Sequence, residues 1–251
     1  MDNVTKAKIN LFAVLRNFQE LCSMDEVAHN LIKDVKLTVR FVVPEVGSAT
    51  LAFANGQCKF FTGKKFAGLT LWFVSPEHFN SLIDGEKTIP IFINVFKVGF
   101  LLNTFTKLAE RLSYYLKPTE ELLADEKYFR INTYLTAYTA FFALCEIGNS
   151  EFKGRCNASR IPEGEILLTV NDGPSMVIAV DKNHRLSAKI GTTDNPRACM
   201  TFGSLQTAND VLSGKSDIFS NLGSGNFAIK GCLPMLDNMS KILSQVGFYL
   251  K

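Results

Sequence analysis

A chain of 251 residues, 47% hydrophobic and 20% charged, carries too much apolar surface to stay disordered and enough length for two hydrophobic cores. Its 27 basic and 24 acidic residues leave a net charge of +3, with no basic run, glycine-arginine tract or zinc-finger spacing, so no nucleic-acid partner is expected. Phenylalanine is abundant at 21, against one Trp and six Tyr, which favours wide apolar interiors over polar-tipped recognition surfaces.

The first segment, Thr5 to Cys22, places Ile9, Phe12, Leu15, Phe18, Leu21 and Cys22 at helical spacing, and Met24 to Lys33 reads as a second short helix. Val35 to Val43, Ala49 to Ala54 and Gln57 to Phe61 read as strands, the last two joined by an Asn55-Gly56 turn. Leu69 to Val74 is a fourth strand. Ser75-Pro76 then starts a helix that Asp84-Gly85 ends. Ile89 to Phe105 reads as a buried strand running into a buried helix, which continues to Leu116. It is too short and too interrupted, by Lys97 and Asn103, to span a bilayer. A surface that touches membranes is its second reading.

The polar stretch after Pro118 reads as a linker, and the order then repeats. A helix from Tyr128 to Ile147 precedes strands over Gly164 to Val170, Ser175 to Val180, Arg185 to Ile190 and Ala198 to Phe202. A small helix ends at Gly214-Lys215, a strand covers Asn226 to Lys230, and a closing helix runs from Leu233. The two halves align residue against residue. Phe18, Leu21 and Cys22 answer to Phe141, Leu144 and Cys145; Leu71, Phe73 and Ser75 to Met200, Phe202 and Ser204; Leu82 to Gly85 to Val211 to Gly214. The expected fold class is α+β: two tandem domains, each a roughly five-stranded, mostly antiparallel sheet covered by helices. The expected boundaries are a divergent domain at 1–118, a linker at 119–127 and a second domain at 128–251.

Catalytic patterns are thin. His29, His78 and His184 are scattered, and no spacing of theirs offers a metal site. Gly214-Lys215-Ser216 resembles the end of a phosphate loop, but Asn209 stands where its first glycine would be. Asp25-Glu26 sits at a helix start, where carboxylates favour the helix N-terminus. No catalytic residue, metal or cofactor is expected. Cys22, Cys58, Cys145, Cys156, Cys199 and Cys232 form no C-x-x-C pair and read as thiols of a reducing compartment. MDNVTKAKINLF has no signal-peptide core, which gives a cytoplasmic expectation. What stands out is apolar: the closing helix carries more Met, Leu, Ile, Val and Phe than one stripe can bury, a surplus that suits an adaptable cavity.

The C-terminal pattern is Met200-Thr201-Phe202 ending a strand, Leu212-Ser213-Gly214-Lys215 ending a helix, then Gly225, Ile229-Lys230-Gly231 and an apolar helix. It resembles the sterol carrier protein type 2 domain over about Tyr128 to Lys251, and more weakly over the first half, where Val95-Phe96-Lys97-Val98 replaces the isoleucine-lysine-glycine signature. The resemblance implies a five-stranded sheet under helices with a hydrophobic tunnel between them. It implies non-catalytic binding or transfer of a fatty acid, acyl-CoA, sterol or isoprenoid. By position the tunnel would be lined by Phe202 on the fourth strand and Leu205, Val211 and Leu212 on the small helix. Ile218, Phe219 and Leu222 would follow in the loop, Phe227 and Ile229 on the fifth strand, and Met235, Leu236, Met239 and Leu243 on the closing helix. Expected partners are a hydrophobic small-molecule ligand, a transient membrane contact and a second copy in a homodimer. The alternative is a scaffold or regulatory protein that uses the same fold for protein–protein contact without ligand.

Overall fold

The computed structural model describes residues 2–63, 65–93, 98–216, 221 and 223–250. The chain divides into two compact units, Met1–Leu135 and Thr136–Lys251. Each holds a five-stranded sheet with helices, an α+β architecture.

In the first unit Asp2 caps α1 (Asn3–Ile9), its carboxylate accepting from the amides of Val4 and Thr5. A π-helical turn, Asn10–Val14, carries the chain into α2 (Asn17–Met24), and Asp25 caps α3 (Glu26–Ile32). Strand β1 (Leu37–Val43) buries alternate residues, Leu37, Val39, Phe41 and Val43, as a half-covered sheet requires. β2 (Gly47–Ala54) turns into β3 (Gln57–Thr62) through Asn55-Gly56, both at positive φ (51° and 72°), the conformation a two-residue hairpin needs. The strand order is β3-β2-β1-β4-β5, with β4 (Leu69–Trp72) and β5 (Ile91–Ile93). The chain leaves the β3 edge and crosses to the far side of β1, so β1 and β4 pair parallel and the other neighbours antiparallel. Helix α4 (Pro76–Ile83) lies between β4 and β5; α5 (Thr106–Leu116) follows a second π-helical turn at Leu101–Phe105. Phe105 stacks at a tilt on Phe18 and Phe41, with ring centroids 5.1 and 5.8 Å apart.

Thr119 caps a short α6 (Glu120–Leu123) in the stretch expected as linker. The units divide between Leu135 and Thr136, within α7 (Glu126–Ser150). Tyr128, Ile131 and Leu135 belong to the core of the first unit. After α8 (Phe152–Ala158) come β6 (Gly164–Val170), β7 (Ser175–Val180), β8 (Leu186–Ile190), β9 (Ala198–Phe202), α9 (Leu205–Leu212), β10 (Phe227–Gly231) and α10 (Leu233–Tyr249). The order β10-β9-β6-β7-β8 is that of the first sheet, again with one parallel pair, β6 with β9.

The repeat holds at the level of single caps. Ser75 and Ser204 stand at φ −156° and −158°, and their hydroxyls accept from the amides of His78 and Thr207 at 3.2 and 3.1 Å. Gly85 and Gly214 end the two helices at φ 89° and 76°.

One expectation is corrected. The start of the stretch Ile89 to Phe105 is not a buried strand: among the described residues only Ile91–Ile93 pair, and Ile89, Ile91 and Ile93 are exposed. β5 is an edge strand bonded on one side alone, and its apolar run faces outward at alternate positions. Val95, Phe96 and Lys97 lie outside the described residues.

Candidate functional site

The second sheet presents a continuous apolar face. In register across β10, β9 and β6, Phe227 stands opposite Phe202 and Phe202 opposite Val170; in the next row Ile229, Met200, Leu168 and Met176 align. The rings of Phe202 and Phe227 are 4.9 Å apart. Alternation along each strand puts these side chains on one side of the sheet. Helix α10 packs against β9 and α8, and α9 packs against β9. α10 buries Met235, Leu236, Met239, Ile242 and Val246, the spacing of a helix stripe laid on a layer.

The turn from β10 into α10 depends on glycine. Gly231 sits at φ 92°, and a Cβ there would come within 2.2 Å of the Arg197 carbonyl oxygen. The same carbonyl accepts from Cys232 N at 2.9 Å. Gly231→Ala therefore combines a left-handed backbone cost with a backbone collision, and a loss of about 2 kcal/mol or more is expected in urea unfolding. Gly214→Ala, whose added Cβ meets nothing within 4 Å, should cost only the conformational part.

Of the residues expected from the sequence, Phe202, Phe227, Met235, Leu236 and Met239 are buried in this layer. Leu205, Val211 and Leu212 on α9, Ile229 on β10 and Leu243 on α10 are half-buried. Ile218, Phe219 and Leu222 lie outside the described residues. A void of about 10 Å³ lies between α7 and the sheet, lined by Ala137, Phe141, Leu168, Thr169, Val170, Pro174, Met176 and Phe202. It holds one water at most. Phe202 alone among the expected lining residues borders it. Ala137, Phe141 and Met176 lie outside the expected set; the pairing of Met176 on β7 with Leu168 on β6 and the helical spacing of Phe141 on α7 are the signals that could place them.

Among the described residues of this unit, no Asp, Glu, Lys, Arg or His is buried. Burial pushes the Cys145 thiol well up, so it is an inert core thiol. No group of three metal-ligating side chains is found among the described residues. One polar atom stands out on α10: Asn238 donates to the Pro234 carbonyl at 2.9 Å, while its Oδ1 is buried without a hydrogen-bond partner.

The first unit carries a site of different character. A cleft of about 420 Å³ is lined by Asp25, Glu26, Val27, Asn30, Arg111, Tyr114, Tyr115, Asp125, Lys127 and Tyr128. At its base Asp25 is buried. Its Oδ1 accepts from Ala28 N (2.7 Å) and Arg111 Nε (3.1 Å), and its Oδ2 from Arg111 Nη2 and the Tyr115 hydroxyl, both at 2.7 Å. Burial opposes the carboxylate charge, but the bonds from Arg111, Tyr115 and Ala28 outweigh it and hold Asp25 below the usual range. Arg111 also lies over the rings of Tyr114 and Tyr115, at 4.6 and 4.9 Å. Burial, with the neighbouring Tyr114, pushes the Tyr128 hydroxyl up to about 12, and that hydroxyl donates to the Tyr114 carbonyl at 2.6 Å. Asp25 caps its helix as the sequence implies; its ion pair with Arg111, remote in sequence, carried no local signal.

No family model matches the chain, and no curated protein matches it. Solved structures do. The sterol carrier protein domain 2 of Helicoverpa armigera is 16% identical, covering 45% of this chain and 89% of that one at a TM-score of 0.37. Sterol carrier protein 2 from Yarrowia lipolytica is 15% identical over 44% of this chain and 91% of that one, at 0.33. The ubiquinone synthesis protein UbiJ-SCP2 is 9% identical over 42% and 85%, also at 0.33.

Proposed function

We propose that this protein binds and carries a hydrophobic small molecule without transforming it, with the site in the second unit between the sheet and helices α9 and α10. The observation that carries the reading is the layer formed by Phe202, Phe227, Met235, Leu236 and Met239, a buried apolar face in a unit whose described residues bury no Asp, Glu, Lys, Arg or His. Each CH₂ of an acyl chain placed there contributes about 0.8 kcal/mol, so affinity needs no charged contact. Methionines at two of the five positions can repack around a guest. The packed core has to open to admit one, since the void beside Phe202 is only about 10 Å³. The orphan acceptor of Asn238 suits a ligand with one hydrogen-bond donor, such as a sterol hydroxyl or a protonated fatty acid. The tandem division into 1–118 and 128–251, with a linker between, belongs to the same proposal.

The small void is also the observation that favours a second reading: a solidly packed protein–protein interaction module. Titration with a fluorescent fatty acid separates the two. Saturable uptake of one probe per chain, displaced by unlabelled fatty acid or sterol, is expected. Absence of uptake of any hydrophobic probe favours the interaction module.

A further inference from the structure

We infer that the outer face of the first sheet is a docking surface for an anionic phospholipid membrane. The core residues of β1 alternate inward, so Thr38, Arg40 and Val42 face the other way. Register extends that outer face across the whole sheet. One row runs Phe61, Thr50, Arg40, Thr70, Ile93, and the next runs Ser48, Val42, Trp72, Ile91. Lys59 and Ala52 align with Thr38 in a third row. The outward strand positions thus hold Arg40 and Lys59 and no carboxylate.

Three features give this face a partner. The first is apolar and aromatic exposure at the β4–β5 edge. Trp72 is 42% exposed and Ile93 48%, with Ile91, Val74 and Ile89 beside them, a patch of the kind that marks an interaction site. The second is the loop after β3. It stays with this face, because Lys65 lies over the Phe61 ring at 3.8 Å and Gly68 N donates to Thr38 Oγ1 at 2.9 Å. From it Phe66 projects, 92% exposed. The third is positive charge: Arg40 and Lys59 at outward strand positions, joined by Lys65 from the loop. Beneath that surface Arg40 Nε and Thr50 Oγ1, register partners across β1 and β2, are buried with no hydrogen-bond partner among the described residues. Cations on strand positions that hold no carboxylate among the described residues, beside an exposed Trp, Phe and isoleucines, match the anionic, half-apolar boundary of a bilayer, where aromatic side chains settle and each Lys or Arg adds attraction. A soluble protein partner would not call for both the acid-free face and the protruding aromatic residues.

Trp72 is the only tryptophan, so its emission reports this face alone. Full-length protein is titrated with phosphatidylcholine vesicles with and without phosphatidylserine at fixed salt, followed by emission and co-sedimentation. The expected result is a blue shift of Trp72 and sedimentation with the phosphatidylserine vesicles. The exposed pair Lys59→Glu and Lys65→Glu should weaken partition at least about tenfold with the fold intact by circular dichroism. Ile91→Ser with Ile93→Ser should reduce the blue shift. Protein that stays in the supernatant overturns the inference, as does sedimentation with unchanged Trp72 emission, which puts the contact elsewhere. A blue shift that grows with protein concentration in the absence of vesicles gives the face to a second copy and also overturns it. Docking does not depend on ligand uptake by the second unit; fluorescent fatty-acid binding, measured without vesicles, keeps the two failures apart.

Discussion

Asp25→Ala is expected to lose about 2–4 kcal/mol of stability, the combined cost of a helix cap and of an ion pair whose carboxylate is buried and whose guanidinium reaches the cleft. The carboxylate is 3% exposed and receives four hydrogen bonds, from Ala28 N, Arg111 twice and the Tyr115 hydroxyl. Removing it uncaps α3 and takes from the Arg111 guanidinium, which lies over two tyrosine rings, its ion-pair partner. Because its folded-state carboxyl is held below the unfolded value, the stabilisation is fully present above about pH 4 and is lost as pH falls through the folded value. Urea denaturation of wild type and Asp25→Asn across pH should therefore show a gap that is wide at neutral pH and narrows below about pH 4. A constant gap down to strong acid would mean that the charge of Asp25 contributes nothing.

Phe202→Ala should cost about 3–5 kcal/mol, the range for truncating a buried aromatic ring. Phe202 is 1% exposed, stands opposite Phe227 and Val170 in register, and borders the void against α7. The same truncation adds roughly the volume of the ring to that void, so the variant should take up fluorescent fatty acid faster even as its Tm falls. Equal loss of stability with uptake abolished would make Phe202 part of the ligand contact itself.

The parts of the fold legible in the sequence are those set by local chemistry. Ser75 and Ser204 declare their helices because a hydroxyl one position before a helix has an amide to satisfy. Asn55-Gly56 declares its hairpin because both residues must reach positive φ. The alternation of Leu37 to Val43 declares which face is buried. Features set by distant residues stay silent. Asp25 and Arg111 are 86 positions apart, and no periodicity links them. Ile89 to Ile93 reads as buried in the sequence because an apolar run has the same composition on a sheet edge as inside a core. Helix α8 was missed: Phe-Lys-Gly-Arg-Cys-Asn-Ala has no apolar stripe, and its cap, Glu151 to Gly154 N at 2.6 Å, is a single glutamate in a polar stretch. At the candidate site Phe202, Phe227, Met235, Leu236 and Met239, all on regular elements, are buried. The half-burial of Leu205, Val211 and Leu212 reflects the register of α9 on β9, which spacing alone does not fix.

The most direct test of the account is native mass spectrometry of the full chain after gentle purification, with lipid extraction of the same sample. A chain that carries a hydrophobic guest should fly with one extra small molecule, released on denaturation and recovered in the organic phase. Bare protein that also stays bare after incubation with fatty acid and sterol would contradict the carrier reading and leave the packed interaction module in its place.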